Sequence, residues 1–388
     1  MLYKWKRCFG LTVVFALTFC LSIGLSQALS APIPNNDYVW DIPAWMPKPV
    51  VPADNPMTKE KVELGRNLFY ERRLSVTGEF SCASCHIQGF AFSDPKPVAV
   101  GATGEKHPRS SMSLANIAYS SILTWAHPGM KKLEVQALVP MFGERPVELG
   151  LSGKDKEVLN KLRQDPNYQK LFAAAFDEKD SINLKNITKA IASFERSLIS
   201  ANSPYDRYRY GGEKGAISTS AKRGEALFNS ERLECFHCHG GFNFSDSIKH
   251  ERLAFEEIAF HNTGLYNIDG KGAYPPNNTG VHEITRKPSD MGRFKAPTLK
   301  NIELTAPYMH DGSIPTLEEV IDHYAAGGRT IKTGEYAGIG SKNPLKSNFI
   351  SGFQITPQEK QDLIEFLKSL TDESFIKNPA FSDPHHVQ

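Results

Sequence analysis

The chain has almost no net charge. Its 45 Lys and Arg face 43 Asp and Glu, leaving +2 with the histidines neutral. That excludes the basic excess expected of a nucleic-acid binder or of a protein held on an anionic membrane. Low-complexity tracts are missing too, and 40% hydrophobic with 23% charged residues is the balance of a globular chain. Strand signals are few. The expected fold class is therefore mainly α, with long irregular loops. Cysteine is the most informative scarcity, with six in 388 residues. Cys8 and Cys20 lie within the N-terminal segment of residues 1–30. Cys82, Cys85, Cys235 and Cys238 all fall inside two C-x-x-C-H motifs, so none is left over for a disulfide.

Long apolar runs are confined to residues 9–25. Lys4, Lys6 and Arg7 precede this run, and Ala28-Leu29-Ser30 places small residues at −3 and −1. Residues 1–30 read as a signal peptide cleaved before Ala31, which implies export to the periplasm. An uncleaved anchor is the alternative, but the run is shorter than the roughly 20 residues of a comfortable span. No stable membrane insertion is expected after cleavage.

Residues 31–57 are Pro-rich, contain Trp40 and Trp45, and read as an extended arm. The length beyond it suits two domains. We expect a first over 58–205, a second over 206–375 and a tail over 376–388. A weak repeat supports the division: Gly65-x-x-Leu68-Phe69 precedes the first motif and Gly224-x-x-Leu227-Phe228 the second. Thr58 can cap the first of these helices. Ile187, Ile191, Phe194 and Leu198 follow helical spacing. Thr356, Pro357 and Glu359 form a capping box before the stripe Leu363, Phe366, Leu367 and Leu370. The polar stretch Asn202–Gly215 is the expected boundary.

C-x-x-C-H has a specific chemistry. Its two thiols are spaced to add to the vinyl groups of one haem, and the histidine that follows is held beneath the iron. A lone match could be half of a zinc site. Two matches, their histidines His86 and His239 153 positions apart, argue for two covalently bound c-type haems. Cys82, Cys85 and His86 hold one, and Cys235, Cys238 and His239 the other. His237 is a bystander inside the second motif. Function then turns on the sixth positions, since a capped haem transfers electrons and an open one binds peroxide.

After the second motif come Gly292-Arg293-Phe294-Lys295-Ala296-Pro297-Thr298-Leu299-Lys300-Asn301 and Leu304-Thr305-Ala306-Pro307-Tyr308-Met309-His310-Asp311-Gly312. With the two haem motifs, these segments resemble the bacterial di-haem cytochrome c peroxidases and their relative MauG. Val100–Glu105, His107–Asn116 and Pro140–Gly150 resemble the MbnH-type enzymes within that superfamily. The resemblance implies several roles. The place of the peroxidases' distal histidine falls at Ala102 or Thr103, neither of which ligates iron, so the first haem is expected to be open. His107 is the rival and is expected in a His-Pro-Arg turn. Gln136, Pro140 and Glu148 match the peroxide-facing pocket, with Glu144 as an alternative acid–base group. Trp125 matches the tryptophan between the haems. Tyr324 takes the place of the second haem's sixth ligand, with His323, Met309 and Tyr308 as neighbours. A phenolate there favours oxidised iron. Thr305 and Pro307 match carbonyls that help hold a calcium ion, although Ser110 stands where its usual asparagine would be. Leu233 replaces the family's exit-route tryptophan, leaving Trp40 and Trp45 as aromatic candidates.

The implied activity is a peroxide-driven oxidase. Hydrogen peroxide would form a high-valent di-haem state, which would oxidise a periplasmic, copper-associated partner protein at a tryptophan. The alternative is a cytochrome c peroxidase fed by a small cytochrome. A plain electron-transfer cytochrome is the third reading, disfavoured by an open first haem.

Overall fold

The computed structural model describes residues 38–385; the expected signal peptide and the first residues of the arm lie outside them. Helices dominate. The first half carries α1 (Lys59–Phe69), α2 (Leu133–Gln136), α3 (Leu138–Phe142), α4 (Asp155–Arg163), α5 (Pro166–Ala175) and α6 (Leu184–Ser197). The second carries α7 (Pro204–Arg209), α8 (Thr219–Phe228), α9 (Cys235–Cys238), α10 (His282–Thr285), α11 (Leu317–Ala325), α12 (Pro357–Lys368) and α13 (Glu373–Ile376). Among the described residues the one sheet is a short antiparallel pair, β1 (Thr330–Ile331) and β2 (Gly338–Ile339), in register Thr330–Ile339 and Ile331–Gly338. No helix among them is long and apolar enough to cross a membrane.

The two glycines of the sequence repeat explain how each half is assembled. In α1, a Cβ on Gly65 would lie 1.9 Å from the Ala190 carbonyl oxygen and 2.9 Å from Phe194 Cβ of α6. In α8, a Cβ on Gly224 would lie 2.0 Å from the Asp362 oxygen and 2.8 Å from Phe366 Cβ of α12. Both helix pairs cross backbone to backbone, a contact that only glycine permits. Each crossing carries a hydrophobic core. One is built on Leu64, Leu68, Phe69, Ile191 and Phe194, the other on Phe228, Leu363, Phe366 and Leu370.

Local signals place the helix ends. Thr58 Oγ1 accepts from Lys61 N at 3.1 Å. Thr356 and Glu359 exchange bonds of 3.2 and 2.9 Å, completing the capping box. Asn202–Gly215 is not a bare linker, because a Ser203–Asp206 capping box starts α7 inside it. The C-terminal segment is packed on the body: Phe375 and Phe381 join the first core, and Tyr70 Oη donates to the Phe381 carbonyl at 2.8 Å. The arm is fastened through buried Met46, which packs with Tyr119 and Ile248, while Tyr119 Oη donates to Pro47 O at 2.6 Å.

Candidate haem sites and the residues between them

In each half the helix that carries the glycine leads to the C-x-x-C-H turn. His86 N bonds back to Cys82 O at 3.0 Å, and His239 N to Cys235 O at 3.0 Å, so each histidine follows directly from a closed turn. The rings are oriented alike. His86 Nδ1 lies 2.9 Å from the Phe92 carbonyl oxygen, and His239 Nδ1 3.1 Å from that of Phe244. This fixes the proton on Nδ1 and leaves Nε2 free to ligate. Burial lowers both imidazole pKa values, which keeps them in the neutral form a metal requires. The carbonyls are aimed by strained backbone, with φ of 58° at Phe92 and 50° at Phe244.

These two carbonyls reveal a longer repeat than the helical one. Gly89-Phe90-Ala91-Phe92-Ser93-Asp94 and Gly241-Phe242-Asn243-Phe244-Ser245-Asp246 follow the two motifs in nearly the same words. Leu114-Ala115-Asn116-Ile117 and Leu299-Lys300-Asn301-Ile302 repeat as well, with both asparagines left-handed at φ 57° and 61°. The serines act alike: Ser93 Oγ donates to Ser111 O and Ser245 Oγ to Ala296 O, each at 2.7 Å.

Each motif opens on a cavity. The first is walled by Cys82, Cys85, His86 and apolar side chains such as Leu114, Ile117 and Leu133. The second is walled by Cys235, Cys238, His239 and by Leu299, Leu317 and Ile321. Apolar walls, two thiols and a neutral imidazole with Nε2 free suit a covalently bound haem in each.

The sequence-predicted distal residues gather in the first cavity. Gln136 ends α2, Pro140 lies in α3, and Glu148 follows on the next loop; all three line the wall. Burial alone pushes the Glu148 carboxyl up to about 7. Glu144 is exposed and accepts from Ser152 Oγ at 2.7 Å instead. Ala102 N donates to Glu148 O at 2.7 Å, pinning the loop that lacks a ligating side chain, and Thr103 is exposed. His107 also reaches this wall, yet its Nδ1 is engaged at 3.1 Å by the Arg109 N–H of the His-Pro-Arg turn.

Tyr324 projects from α11 into the second cavity, where burial holds its phenol well above the usual range. His323, one residue earlier on the helix, is buried but does not line that cavity. Tyr308 and Met309 do line it, and the Tyr308 hydroxyl is committed to Ile302 O at 3.1 Å. Trp125 is the one described residue that lines both cavities. Its indole Nε1 donates to Ser110 O at 2.8 Å, which fixes the ring between them. Trp40 and Trp45 line neither; Trp45 stacks on Tyr210 at 4.1 Å.

Comparison with known proteins fits this geometry. The model for di-haem cytochrome c peroxidase matches residues 59–214, and one for RoxA-like, cytochrome c-like proteins matches 293–325. Cytochrome-c peroxidase IdrP1 of Pseudomonas sp. (strain SCT) is 35% identical over 367 residues, spanning 90% of this chain and 91% of that protein. Methylamine utilization protein MauG of Methylorubrum extorquens is 34% identical over 325 residues, spanning 83% and 81%. The chain belongs to the di-haem cytochrome c peroxidase and MauG family. It is an oxidoreductase of that family, which implies two haems. A crystallographically solved MauG-like protein associated with microbial copper homeostasis is 49% identical, with a TM-score of 0.87 over 89% of this chain and 99% of that one. The di-haem peroxidase BthA from Burkholderia thailandensis shares the fold at 18% identity, with a TM-score of 0.65 over 85% of this chain and 91% of that one.

One feature of this di-haem peroxidase is not signalled by its sequence. Glu195 of α6 lines the first cavity, where burial pushes its carboxyl up to about 8 and leaves Oε2 without a partner. The longer repeat gives no hint of it, because Leu367 stands at the equivalent place in α12. Thr305 and Pro307 line a small polar cavity beside Trp125 and Ser110. That lining offers neutral oxygens but no carboxylate, and it includes buried Lys295. Such a donor set favours calcium only weakly, since affinity follows ligand charge.

Proposed function

We propose that this di-haem peroxidase is a periplasmic oxidase that uses hydrogen peroxide to oxidise another protein. The observation that carries the reading is Trp125, the one side chain among the described residues shared by both cavities. Bound haem supplies the iron that reacts with peroxide and stores its oxidising power. Peroxide would bind beside Gln136 and Glu148. With its carboxyl near 7, Glu148 exchanges a proton at neutral pH, taking it from one peroxide oxygen and returning it to the other. The Gln136 amide would orient the oxidant by hydrogen bonding. Trp125 would pass electrons from the second site to the first, and the phenol oxygen of Tyr324, once deprotonated, is a hard donor that favours oxidised iron. The likeness to the copper-homeostasis protein supports a copper-associated partner, oxidised at a tryptophan side chain.

Met309 on the second cavity's wall supports the other reading, a cytochrome c peroxidase fed by a small cytochrome. A thioether ligand raises the potential and suits an electron acceptor. One experiment separates the two. The diferric holoprotein receives one equivalent of hydrogen peroxide without reductant, and visible and near-infrared spectra are recorded. Prompt loss of the ferric spectrum with a new near-infrared band is expected. A reaction that starts only after one haem is pre-reduced would transfer the assignment to the cytochrome-fed peroxidase.

A further inference from the structure

Trp125 joins the two cavities, but a route from there to a protein partner is still needed. Leu233, at the place of the family's exit tryptophan, is a buried aliphatic side chain. A different row of rings leaves Trp125. Its indole meets His310 edge-on, with centroids 6.5 Å apart. His310 is stacked on Phe294 at 3.6 Å and lies 6.3 Å from Tyr274. Tyr274 meets Tyr266 edge-on at 5.4 Å, and Tyr266 meets Tyr336 at 6.0 Å. Tyr274 and Tyr266 are buried, whereas Tyr336 is half-buried in the turn between β1 and β2. The row thus starts between the two cavities and ends at solvent.

The surroundings hold the row in place. Gly292 has φ +70°, and a Cβ there would fall 2.1 Å from Tyr274 Cε2, so the Gly292-Arg293-Phe294 segment makes room for one ring and supplies the stack for another. The Tyr274 hydroxyl donates to Asn262 Oδ1 at 2.8 Å and accepts from Leu265 N at 3.1 Å. The Tyr266 hydroxyl donates to Asp311 Oδ2 at 2.6 Å. That difference matters, because a phenol gives up an electron readily only when its proton has a base to go to. An amide oxygen is not such a base, and a carboxylate is.

We propose that Tyr274, Tyr266 and Tyr336 carry oxidising equivalents from Trp125 to the surface at the β1–β2 turn, with Asp311 as the proton acceptor of Tyr266. The proposal rests on the peroxide reading above and assigns its exit route. Hydrogen peroxide takes up two electrons and two protons and leaves as two water molecules. For each electron, Tyr266 gives one electron towards Trp125 through Tyr274, and its phenolic proton passes to Asp311 Oδ2. The neutral tyrosyl radical then takes an electron from Tyr336 and recovers the proton from Asp311. Tyr336 releases its own proton to water and is restored, electron and proton, by an oxidisable aromatic side chain on the docked partner. Two passes complete a two-electron oxidation. Tyr274, lacking a base, serves as a bridge between Trp125 and Tyr266.

The test uses the haem-loaded full chain without partner or reductant. One equivalent of hydrogen peroxide is added, samples are freeze-quenched for electron paramagnetic resonance, and oxidised tyrosines are then mapped by mass spectrometry. A tyrosyl radical is expected, followed by modification or dityrosine cross-linking at Tyr336. Tyr266→Phe should abolish the modification at Tyr336, and Tyr336→Phe, at a half-exposed position, should abolish the cross-link. Asp311→Asn should slow the appearance of the radical. In all three variants the initial reaction with peroxide, followed optically, should keep the parent's rate. A radical that forms as in the parent and still modifies Tyr336 when Tyr266 is Phe would overturn the row while leaving the peroxide reading intact. A parent spectrum unchanged by peroxide, with no radical, would overturn that reading and the row with it.

Discussion

At the scale of single residues, burial chooses among chemically similar candidates. Glu144 and Glu148 are four positions apart in the sequence, yet one is exposed and the other lies in an apolar wall with its carboxyl pushed up to about 7. If Glu148 takes the first proton from peroxide, it must be ionised. The rate of peroxide reaction should then rise with pH and level off above about 7. Stopped-flow measurements on the parent and on Glu148→Gln check this. The variant should lose the pH step and about 10²–10⁴ of the rate, the usual worth of a positioned acid–base group. A Glu144→Gln variant that lost as much would displace Glu148 from the role. Tyr324 gives a second residue-scale expectation. Tyr324→Met exchanges a hard oxygen donor for a thioether, so the second haem should become reducible by ascorbate. Titration with ascorbate in the visible range reads this directly, and an unchanged titration would argue against Tyr324 as the ligand.

At the scale of elements, two helix crossings set the positions of both haem motifs. Gly65 and Gly224 each meet a carbonyl of the crossing helix, at 1.9 and 2.0 Å from where a Cβ would stand. Since these neighbours are backbone, neither crossing relaxes by a side-chain rotation. Gly65→Ala and Gly224→Ala should each cost about 3 kcal/mol or more in stability. Gly89→Ala, with nothing near its Cβ, should cost less than about 0.5 kcal/mol. Thermal unfolding of the three holoproteins tests the contrast, and equal melting temperatures would refute the steric argument. The repeat is partly legible in the sequence, because helical spacing and capping boxes are local signals. Its full length, through Gly-Phe-x-Phe-Ser-Asp and the left-handed asparagines, carries no such local signal. Those residues follow no period of 2 or 3.6, and their conformation is set by contacts with distant chain.

At the scale of the whole molecule, Trp125 ties the halves together. It belongs by sequence to the first half, yet it lines the second cavity too, and its carbonyl accepts from Lys295 N at 2.8 Å. Trp125→Phe should leave both haems bound and the initial peroxide reaction at the first site intact. The near-infrared band and the oxidation of the partner should be lost, because phenylalanine is far harder to oxidise than indole. Spectra recorded after one equivalent of peroxide, together with mass analysis of the partner, decide it; an undiminished band would remove Trp125 from the electron path. Arg109 spans the same junction, donating to Asn278 at 2.8 Å and to Glu283 at 2.5 Å, and it lies 5.5 Å over the Phe294 ring.

The sequence by itself determined the chemistry that is covalent or local. C-x-x-C-H places two thiols and an imidazole a fixed few bonds apart, so the expectation of a haem at His86 and at His239 rests on spacing alone. Helix caps and the mainly helical class are likewise properties of short windows. Only the tertiary structure decided which distant groups share a space. It turned Glu148 inward and Glu144 outward, set Tyr324 rather than His323 on the second cavity's wall, and put Trp125 on both cavities. It also aligned Tyr274, Tyr266 and Tyr336, from separate loops, into one row against Asp311. Burial and juxtaposition depend on how far-separated segments pack, and no pattern within one segment encodes them.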